Sequence, residues 1–283
     1  MVNVFGLRKI INSRLFESGV KNSAFETQEI LCFVLNCSKA KLLTFNDTEV
    51  SDEIYQRAIE ITEKRVTGYP LQYIIGTWDF MGIPLKIHDG VLIFRPDTEC
   101  ICEKAISIMN DRKNVKILDI CAGSGCIGIS LLYYLDFSSC DFIELYEKPI
   151  NCIKENLKFH NLESRGRILQ KDVLNGFDFL SEKYDIIISN PPYIKKGDKR
   201  LEKNVLKFEP AEALFAKDKG LEFYKSISKN VYDLLKDDGS LIFEIGQGQY
   251  IDVLKIGEDA GYKKMEYIFD ISDIPRGIIL EKK

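Results

Sequence analysis

The sequence lacks the residue clusters that usually hold metal ions. It has only two histidines, His88 and His160, and its eight cysteines include no Cys-x-x-Cys pair. Zinc sites are recognised by closely spaced Cys and His ligands, so no metal site is predicted. The scattered cysteines also provide no disulfide framework, and we expect reduced, mostly buried thiols.

Long apolar runs and a strong net charge are also missing. No stretch approaches the ~20 apolar residues of a membrane span, and the N-terminal stretch around Arg8 and Lys9 lacks the uninterrupted apolar region of a signal peptide. A formal charge of −4 gives no overall basic surface for nucleic acid. We therefore expect a cytoplasmic protein that does not contact membranes and whose main partner is not a nucleic acid.

What the sequence does contain is enough apolar material for a sizeable core. Its 283 residues are 45% hydrophobic, which predicts two domains at roughly 100–200 residues each. Residues 1–68 are predicted to be helical, because apolar residues recur at helical spacing over residues 4–18 and 30–35. Ser51 is suited to capping a further helix that Gly68 ends. We expect this domain to recognise a partner; the alternative is a helical decoration packed on the main domain.

The pattern changes after the helical domain. Residues 69–90 mix β-branched and aromatic side chains around a Met-Gly turn, which predicts a β-hairpin connector. Residues 91–99 are predicted to be a short strand running into a helix, with Asp97 or Thr98 as the helix cap. Residues 91–283 are assigned to one main domain.

In this main domain, apolar strands alternate with amphipathic helices. That rhythm is typical of a doubly wound parallel sheet with right-handed crossovers. The last two strands, predicted at residues 262–269 and 276–281, are expected to be antiparallel and to complete seven strands. The predicted fold class is therefore α/β, with a Rossmann-like seven-stranded sheet and a small N-terminal helical domain. In open sheets of this kind, ligands bind at the carboxyl ends of the strands.

A glycine-rich turn follows the apolar strand predicted at residues 115–120. Its sequence over residues 121–128, Cys-Ala-Gly-Ser-Gly-Cys-Ile-Gly, contains a Gly-x-Gly-x-x-Gly pattern. Glycines let the backbone turn sharply from strand to helix and approach a nucleotide closely. The residues predicted to bind the cofactor here are Cys121, Ala122, Gly123, Ser124 and Gly125.

Two further strand ends supply polar residues for an adenosine. The strand predicted at residues 142–146 ends in Glu147, whose carboxylate is suited to accepting hydrogen bonds from both ribose hydroxyls. The strand at residues 167–170 leads to Asp172 and Val173, which we expect to border the adenine. These features predict an adenosine-containing cofactor. A nicotinamide-dependent dehydrogenase would share them and is the competing interpretation.

The most informative stretch is an apolar strand that stops at Asn190-Pro191-Pro192-Tyr193. The Asn190 amide oxygen and the Pro191 carbonyl offer two acceptors to one NH₂ group, and the two prolines hold that geometry. The Tyr193 ring offers a flat surface for a planar amide or base. Since converging acceptors expose the delocalised lone pair of such an NH₂, these four residues are predicted to catalyse alkylation of an amide or exocyclic amine, with Asn190 also touching the cofactor. A plain proline-rich turn would explain the prolines but neither Asn190 nor Tyr193.

The basic stretch at residues 195–207 follows this tetrapeptide. It carries six basic and two acidic residues. Such a run is typical of a solvated loop, and a patch for an acidic partner or RNA is the alternative. The sequence leaves its role open.

At these residues the chain resembles the protein-(glutamine-N5) methyltransferases that modify peptide chain release factors, and the resemblance covers essentially the whole chain. Beside Asn-Pro-Pro-Tyr it rests on residues 68–76, 92–99, 208–210 and 243–246. Three positions depart from the family pattern, in that Phe94 stands where Pro is usual, Cys121-Ala122 replaces a common Gly-Thr, and Asp273 lies where Gly is frequent. None touches the chemistry, although a cysteine fits a turn with positive φ poorly.

The resemblance implies a class I methyltransferase fold, S-adenosyl-L-methionine as cofactor with S-adenosyl-L-homocysteine as product, and an N-terminal domain that helps to hold the release factor. It implies direct in-line methyl transfer to the side-chain nitrogen N5 of the glutamine in a Gly-Gly-Gln motif. We expect a monomer. Two alternatives stay open: an N-methyltransferase acting on an exocyclic amino group of a base in DNA or RNA, and a non-catalytic nucleotide-binding or ribosome-associated module. The preferred release factor and the final proton acceptor also stay open.

Overall fold

The computed structural model of the chain describes residues 2–283 and divides into two compact units, one ending at Thr77 and the other beginning at Trp78. The sequence-based boundary at residue 68 falls before this division, so residues 69–77 lie in the first unit. The assignment of residues 69–90 as a connector stays a prediction. No helix in the described part of the chain is long and apolar enough to cross a bilayer.

The first unit is helical, as predicted. Over its described residues it contains α1 (Val4–Glu17), α2 (Ser23–Val34), α3 (Lys39–Leu42), α4 (Asp52–Val66) and α5 (Leu71–Ile75). Buried apolar residues recur every three or four positions along α1, so one face of this helix packs against α2 and α4. Arg65 of α4 pairs with Glu26 of α2 through nitrogen–oxygen distances of 2.6 and 3.0 Å. Ser51 caps α4, since its side chain accepts a hydrogen bond from the Ile54 amide.

The chain continues with a hairpin of strands β1 (Thr77–Phe80) and β2 (Ile83–Lys86), joined at Met81 and Gly82, which both have positive φ. The helices that follow are α6 (Glu99–Met109), α7 (Cys126–Tyr134), α8 (Glu147–Phe159), α9 (Lys203–Phe208), α10 (Glu222–Asn230) and α11 (Tyr250–Asp259). The strands are β3 (Lys116–Ile120), β4 (Ser139–Glu144), β5 (Gly166–Gln170), β6 (Tyr184–Ser189), β7 (Ile194–Lys195), β8 (Phe215–Ala216), β9 (Leu235–Glu244), β10 (Lys264–Phe269) and β11 (Pro275–Glu281).

Seven of these strands form one mixed sheet in the order β10-β11-β9-β6-β3-β4-β5. The pairs within β9-β6-β3-β4-β5 are parallel, while β11 runs antiparallel to both β9 and β10. The predicted seven-stranded sheet with two antiparallel final strands is confirmed. The short strands β7 and β8 pair separately.

The centre of the sheet positions the predicted site. Every residue of β6 is buried, as expected of an unrelieved apolar strand covered on both faces. The strand order reverses between β3 and β6, and these neighbours are tied at their carboxyl ends because the Ser189 hydroxyl donates to the Ile120 carbonyl at 2.6 Å. The glycine-rich turn after β3 and the Asn-Pro-Pro-Tyr segment after β6 therefore emerge side by side, at the place where open α/β sheets bind ligands.

Candidate functional site

The turn between β3 and α7 bends through positive φ at Cys121, Gly123 and Gly125. A Cβ on Gly125 would lie 2.9 Å from the Cδ1 atom of Ile129, so the turn requires glycine there. At Cys121 the same left-handed conformation is strained and costs of order 1–3 kcal/mol. The buried Asp119 carboxylate accepts a hydrogen bond from a backbone amide of α7 at 2.9 Å, which ties β3 to that helix.

The Cys121 thiol has a raised pKa and is therefore a weak nucleophile at neutral pH. Burial raises its pKa well above the ordinary value of 9.0, and the carboxyl groups of Glu144 and Asp119 raise it further. A hydrogen bond with Ser189 lowers this pKa without reversing the shift. The thiol is therefore protonated at neutral pH.

A cavity of about 210 Å³ lies at the carboxyl ends of β3 to β6. The predicted cofactor residues that line it are Cys121, Gly123, Asp172, Val173 and Asn190. Ala122, Ser124 and Gly125 lie in buried positions that support the turn. A Cβ built on Gly123 would meet no protein atom within 4 Å, so the space beside this glycine is open to a ligand.

Glu147 does not line this cavity, and its predicted place at a strand end is wrong. β4 ends at Glu144, and Glu147 is the exposed first residue of α8. Glu144 Oε1 accepts hydrogen bonds from the amides of Leu145 and Tyr146 at 2.8 and 3.0 Å, and its Oε2 accepts from the Gly123 amide at 2.9 Å. The first two bonds engage the N–H groups that would continue the strand, which explains why β4 stops here.

Glu144 is the acidic residue in the wall of the cavity. Burial raises the pKa of Glu144, and the three backbone donors act in the opposite direction. Its Oε2 atom accepts only one of these bonds, so it retains a lone pair for a further donor. The carboxylate is thus suited to the ribose contact that the sequence assigned to Glu147.

A second cavity of about 370 Å³ lies beside the first, and Asn190 lines both. Leu92 and Ala213 also border both cavities. Of the remaining tetrapeptide, Pro192 lines the first cavity, whereas Pro191 and Tyr193 line the second. The predicted catalytic residues thus come together where the two cavities meet.

Tyr193 is held at its side chain and at its backbone. Its hydroxyl donates to Glu244 Oε1 at 3.2 Å, and its carbonyl accepts from Gln249 Nε2 at 3.0 Å. A Cβ on Gly220 would overlap that carbonyl oxygen, so only glycine permits this approach of the two chain segments. The aromatic ring is therefore fixed in the wall of the second cavity.

Two buried residues that the sequence did not assign to the site connect to Asn190. Thr98 Oγ1 donates to Glu244 Oε2 at 2.5 Å, and Asn190 Nδ2 lies 3.4 Å from Thr98 Oγ1. The sequence predicts Asp97 or Thr98 as the helix cap. Thr98 directly precedes α6, but its side chain makes no cap hydrogen bond. Both residues belong to segments on which the family resemblance rests, 92–99 and 243–246, and this was the signal in the sequence that could have pointed to them.

The basic stretch after the tetrapeptide borders a third cavity of about 470 Å³, lined by Tyr193, Lys195 and Arg200 among others. Arg200 pairs with Asp198 at 2.7 Å, and residues further along form α9. Part of the basic charge is therefore neutralised locally.

Two buried carboxyl groups beneath the site make stability depend on pH. Burial raises the pKa of Glu244 from 4.5 to about 7 and that of Asp119 from 3.8 to about 7. The folded state thus holds these protons more tightly than the unfolded state. The resulting stabilisation is complete below about pH 4 and is lost as the pH rises through about 7.

We expect the free energy of unfolding to fall as the pH is raised from 5 to 8, by about 3 kcal/mol for each of the two groups. Urea denaturation at a series of pH values measures this fall. The variant Glu244→Gln cannot ionise at that position, so its curve should lose the part of the pH dependence that is due to Glu244 and keep the part due to Asp119. A wild-type stability that is flat or rises over this range would contradict the expectation.

The chain matches two family models and has close relatives over nearly its whole length. The model described as PrmC N-terminal domain matches residues 7–76, and the Methyltransferase small domain matches residues 103–218. The release factor glutamine methyltransferase of Clostridium botulinum is 34% identical over 269 residues, covering 95% of each chain. That of Fusobacterium nucleatum is 37% identical over 270 residues, covering 95% of this chain and 76% of the relative.

Similarity in fold extends further than similarity in sequence. A solved methyltransferase structure from Pyrococcus furiosus matches with a TM-score of 0.54 at 17% identity. The match covers 80% of this chain and 98% of the other. It supports the methyltransferase fold alone.

Proposed function

Because the chain belongs to the release factor glutamine methyltransferases, we propose that it transfers a methyl group from S-adenosylmethionine to the side-chain nitrogen N5 of the glutamine in the Gly-Gly-Gln motif of peptide chain release factors. The main structural support is the place of Asn190 between two adjoining cavities. One cavity suits a nucleotide and the other a small planar side chain. Such a junction is what transfer between two bound molecules requires.

The residues of the first cavity fit S-adenosylmethionine, which supplies an electrophilic methyl group. Glu144 offers a carboxylate oxygen to a ribose hydroxyl. Gly123 leaves room for close approach to the turn, while Asp172 and Val173 would border the adenine. The assignment of these residues to the cofactor remains our proposal.

The residues of the second cavity are suited to holding a carboxamide. The Asn190 side-chain oxygen and the Pro191 carbonyl are acceptors for the two hydrogens of an NH₂ group. The Tyr193 ring, fixed by its hydrogen bonds, provides a flat surface against which the amide lies. Together they orient the nitrogen toward the first cavity, and this orientation supplies much of the rate enhancement without a strong general base.

The decisive experiment follows the label from methyl-labelled S-adenosylmethionine. We expect a release factor to be labelled and its Gln→Ala variant in the Gly-Gly-Gln motif to stay unlabelled. The same assay is also run on a whole-cell extract, in which all proteins and nucleic acids compete for the labelled methyl group. Label in nucleic acid would favour the alternative, an enzyme acting on exocyclic amines of bases, and cofactor binding without any labelled product would favour a non-catalytic module.

Glu144 and Glu147 provide a matched pair for testing the cofactor site. We expect Glu144→Gln to raise the dissociation constant for S-adenosylmethionine about tenfold or more, because a hydrogen bond to a charged acceptor contributes roughly 1.5–3 kcal/mol. Glu147→Ala, at an exposed helix start, should leave it unchanged. Isothermal titration calorimetry on both variants measures this. Equal affinities for the two, or a larger loss for Glu147→Ala, would place the ribose elsewhere.

Three further assignments stay predictions: that the protein works in the cytoplasm, that it is a monomer, and that its helical unit helps to hold the release factor. The first rests on the absences in the sequence. The third rests on the match of residues 7–76 to the PrmC N-terminal domain and on the separate helical unit. Light scattering of the purified protein tests the second.

A further inference from the structure

The side-chain amide of Asn190 has two ends that must not be exchanged. Under the proposed function its oxygen accepts from the NH₂ group of the substrate, whereas its own NH₂ group in that place would oppose the substrate donor to donor. The two orientations have nearly the same shape, so packing alone cannot choose between them. Hydrogen bonding must make the choice.

A chain of hydrogen bonds runs from Tyr193 through Glu244 and Thr98 to Asn190. Thr98 is 1% exposed and Glu244 is 3% exposed, so both side chains are almost fully buried. Glu244 accepts at both oxygens, from Thr98 at 2.5 Å and from Tyr193 at 3.2 Å. Asn190 Nδ2 completes the chain at 3.4 Å from Thr98 Oγ1, a long contact of the kind that shortens when a substrate binds.

The direction of this chain follows from donor and acceptor counts. An ionised carboxylate only accepts, so the single hydrogen of the Thr98 hydroxyl points to Glu244. Thr98 then has only lone pairs to offer Asn190. The amide must therefore turn its NH₂ group to Thr98, which leaves Oδ1 for the substrate.

We propose that Thr98 and Glu244 are positioning residues that set the orientation of the Asn190 amide for the acceptor glutamine. This inference rests on the proposed function for its substrate, but the chain of hydrogen bonds is a property of the protein alone. Tyr193 is held by the same carboxylate. One buried group thus aligns both the hydrogen-bond acceptor and the aromatic wall of the second cavity.

The protonation of Glu244 supplies a second readout. Protonated Glu244 donates to Thr98 and frees the threonine hydrogen for Asn190, which reverses the chain. Burial raises the pKa of Glu244 to about 7, so this reversal falls in an accessible range. The other titratable or charged groups that act on Glu244 or respond to its charge are Asp97, Cys100, Cys102, Cys126, Tyr224 and Arg276.

These neighbours do not mask the titration of Glu244. Burial raises the pKa values of the three thiols and of the Tyr224 hydroxyl well above neutrality. Asp97 and Arg276 form an ion pair at 2.9 Å, and the pKa of Arg276 is raised by its two aspartate partners.

The test uses the full chain and four variants: Thr98→Val, which keeps the shape but removes the hydroxyl, Thr98→Ser, which keeps the hydroxyl, Asn190→Ala, and Thr98→Val combined with Asn190→Ala. We expect Thr98→Val to lower kcat about tenfold, with KM for the release factor and affinity for S-adenosylmethionine unchanged. Thr98→Ser should restore most of the activity. In the Asn190→Ala background, Thr98→Val should cause no further loss.

Two further measurements separate positioning from general damage. The wild-type kcat should rise between pH 6 and 8 as Glu244 ionises, and it should rise more steeply than the kcat of Thr98→Val. Asp119 titrates in both proteins, so the difference between the two pH profiles reports on Glu244. Isotope labelling of asparagine should show faster hydrogen exchange of the Asn190 amide in Thr98→Val, with or without substrate. The exchange measurement tests the hydrogen-bond chain even if the release factor is not the substrate.

Several outcomes would overturn the proposal. Wild-type kcat in Thr98→Val would do so, as would an equal loss from this change with and without Asn190. Unchanged exchange at the Asn190 amide would refute the chain itself. Failure of the wild-type protein to methylate any release factor, with altered exchange in Thr98→Val, would refute the proposed function and leave the hydrogen-bond chain standing.

Discussion

Asn190→Ala lowers turnover about a thousandfold in our expectation, comparable to the loss of one preorganised hydrogen-bonding group in other active sites. The reason is that Asn190 lines both cavities and supplies the side-chain acceptor for the substrate amide. Without it, the glutamine loses both its orientation and the exposure of its lone pair. These effects arise on the way to the transition state, so they reduce kcat more than binding.

Single-turnover methylation of a release factor and calorimetry with S-adenosylmethionine measure the two halves of this prediction. The dissociation constant for the cofactor should change by less than about twofold, because many other groups line that cavity. Asn151→Ala, an exposed asparagine on α8, is the matched control and should behave as the wild type. Turnover of Asn190→Ala at the wild-type rate would refute the assigned role, and a lost cofactor affinity would move Asn190 to the nucleotide.

Removal of the helical unit should lower kcat/KM for an intact release factor about a hundredfold, which corresponds to roughly 3 kcal/mol of lost binding energy. A side-chain amide is too small to identify one glutamine among the many on protein surfaces. Contacts away from the amide must therefore select the substrate. The helical unit has a buried face of its own and is the candidate for those contacts.

The chain for this test should begin at Trp78, because a chain that begins at residue 69 would retain α5 without the helices it packs on. We expect the shortened protein to bind S-adenosylmethionine normally, as judged by calorimetry. A short Gly-Gly-Gln peptide should be methylated equally, and slowly, by both proteins. Two results would contradict this division of roles. One is that the shortened and full-length proteins methylate the intact factor at equal rates, and the other is that the full-length protein methylates the peptide as fast as the intact factor.

The sheet was predictable because its strands carry their own signals. β6 carries three consecutive isoleucines, residues 186–188, and is buried throughout, and the small residues after β3 mark a turn that the structure contains. The sequence pattern extends the strand through Leu145 and Tyr146, which put Glu147 at the predicted strand end. The carboxylate of Glu144 binds the amides of those two residues and ends β4, an effect of one side chain on its own backbone that periodicity does not reveal.

The pairing of Thr98 with Glu244 was not predictable for a different reason. Local spacing favoured Thr98 as a helix cap, and the partner of its hydroxyl lies on β9, far along the chain. Only the packing of α6 on the assembled sheet brings this helix and β9 together. Contacts set by topology between distant segments escape arguments built on neighbouring residues, and this one lies directly behind the predicted catalytic asparagine.

The raised pKa of the Cys121 thiol affects whether the protein can methylate its own cysteine. A sulfonium methyl group is an electrophile, and a thiolate is a far stronger nucleophile than a carboxamide nitrogen. Cys121 lines the cavity assigned to the methyl donor, yet burial and the carboxyl groups of Glu144 and Asp119 raise its pKa well above the ordinary value. Burial and these two carboxyl groups keep the sulfur protonated, which protects the protein against methylation of its own cysteine.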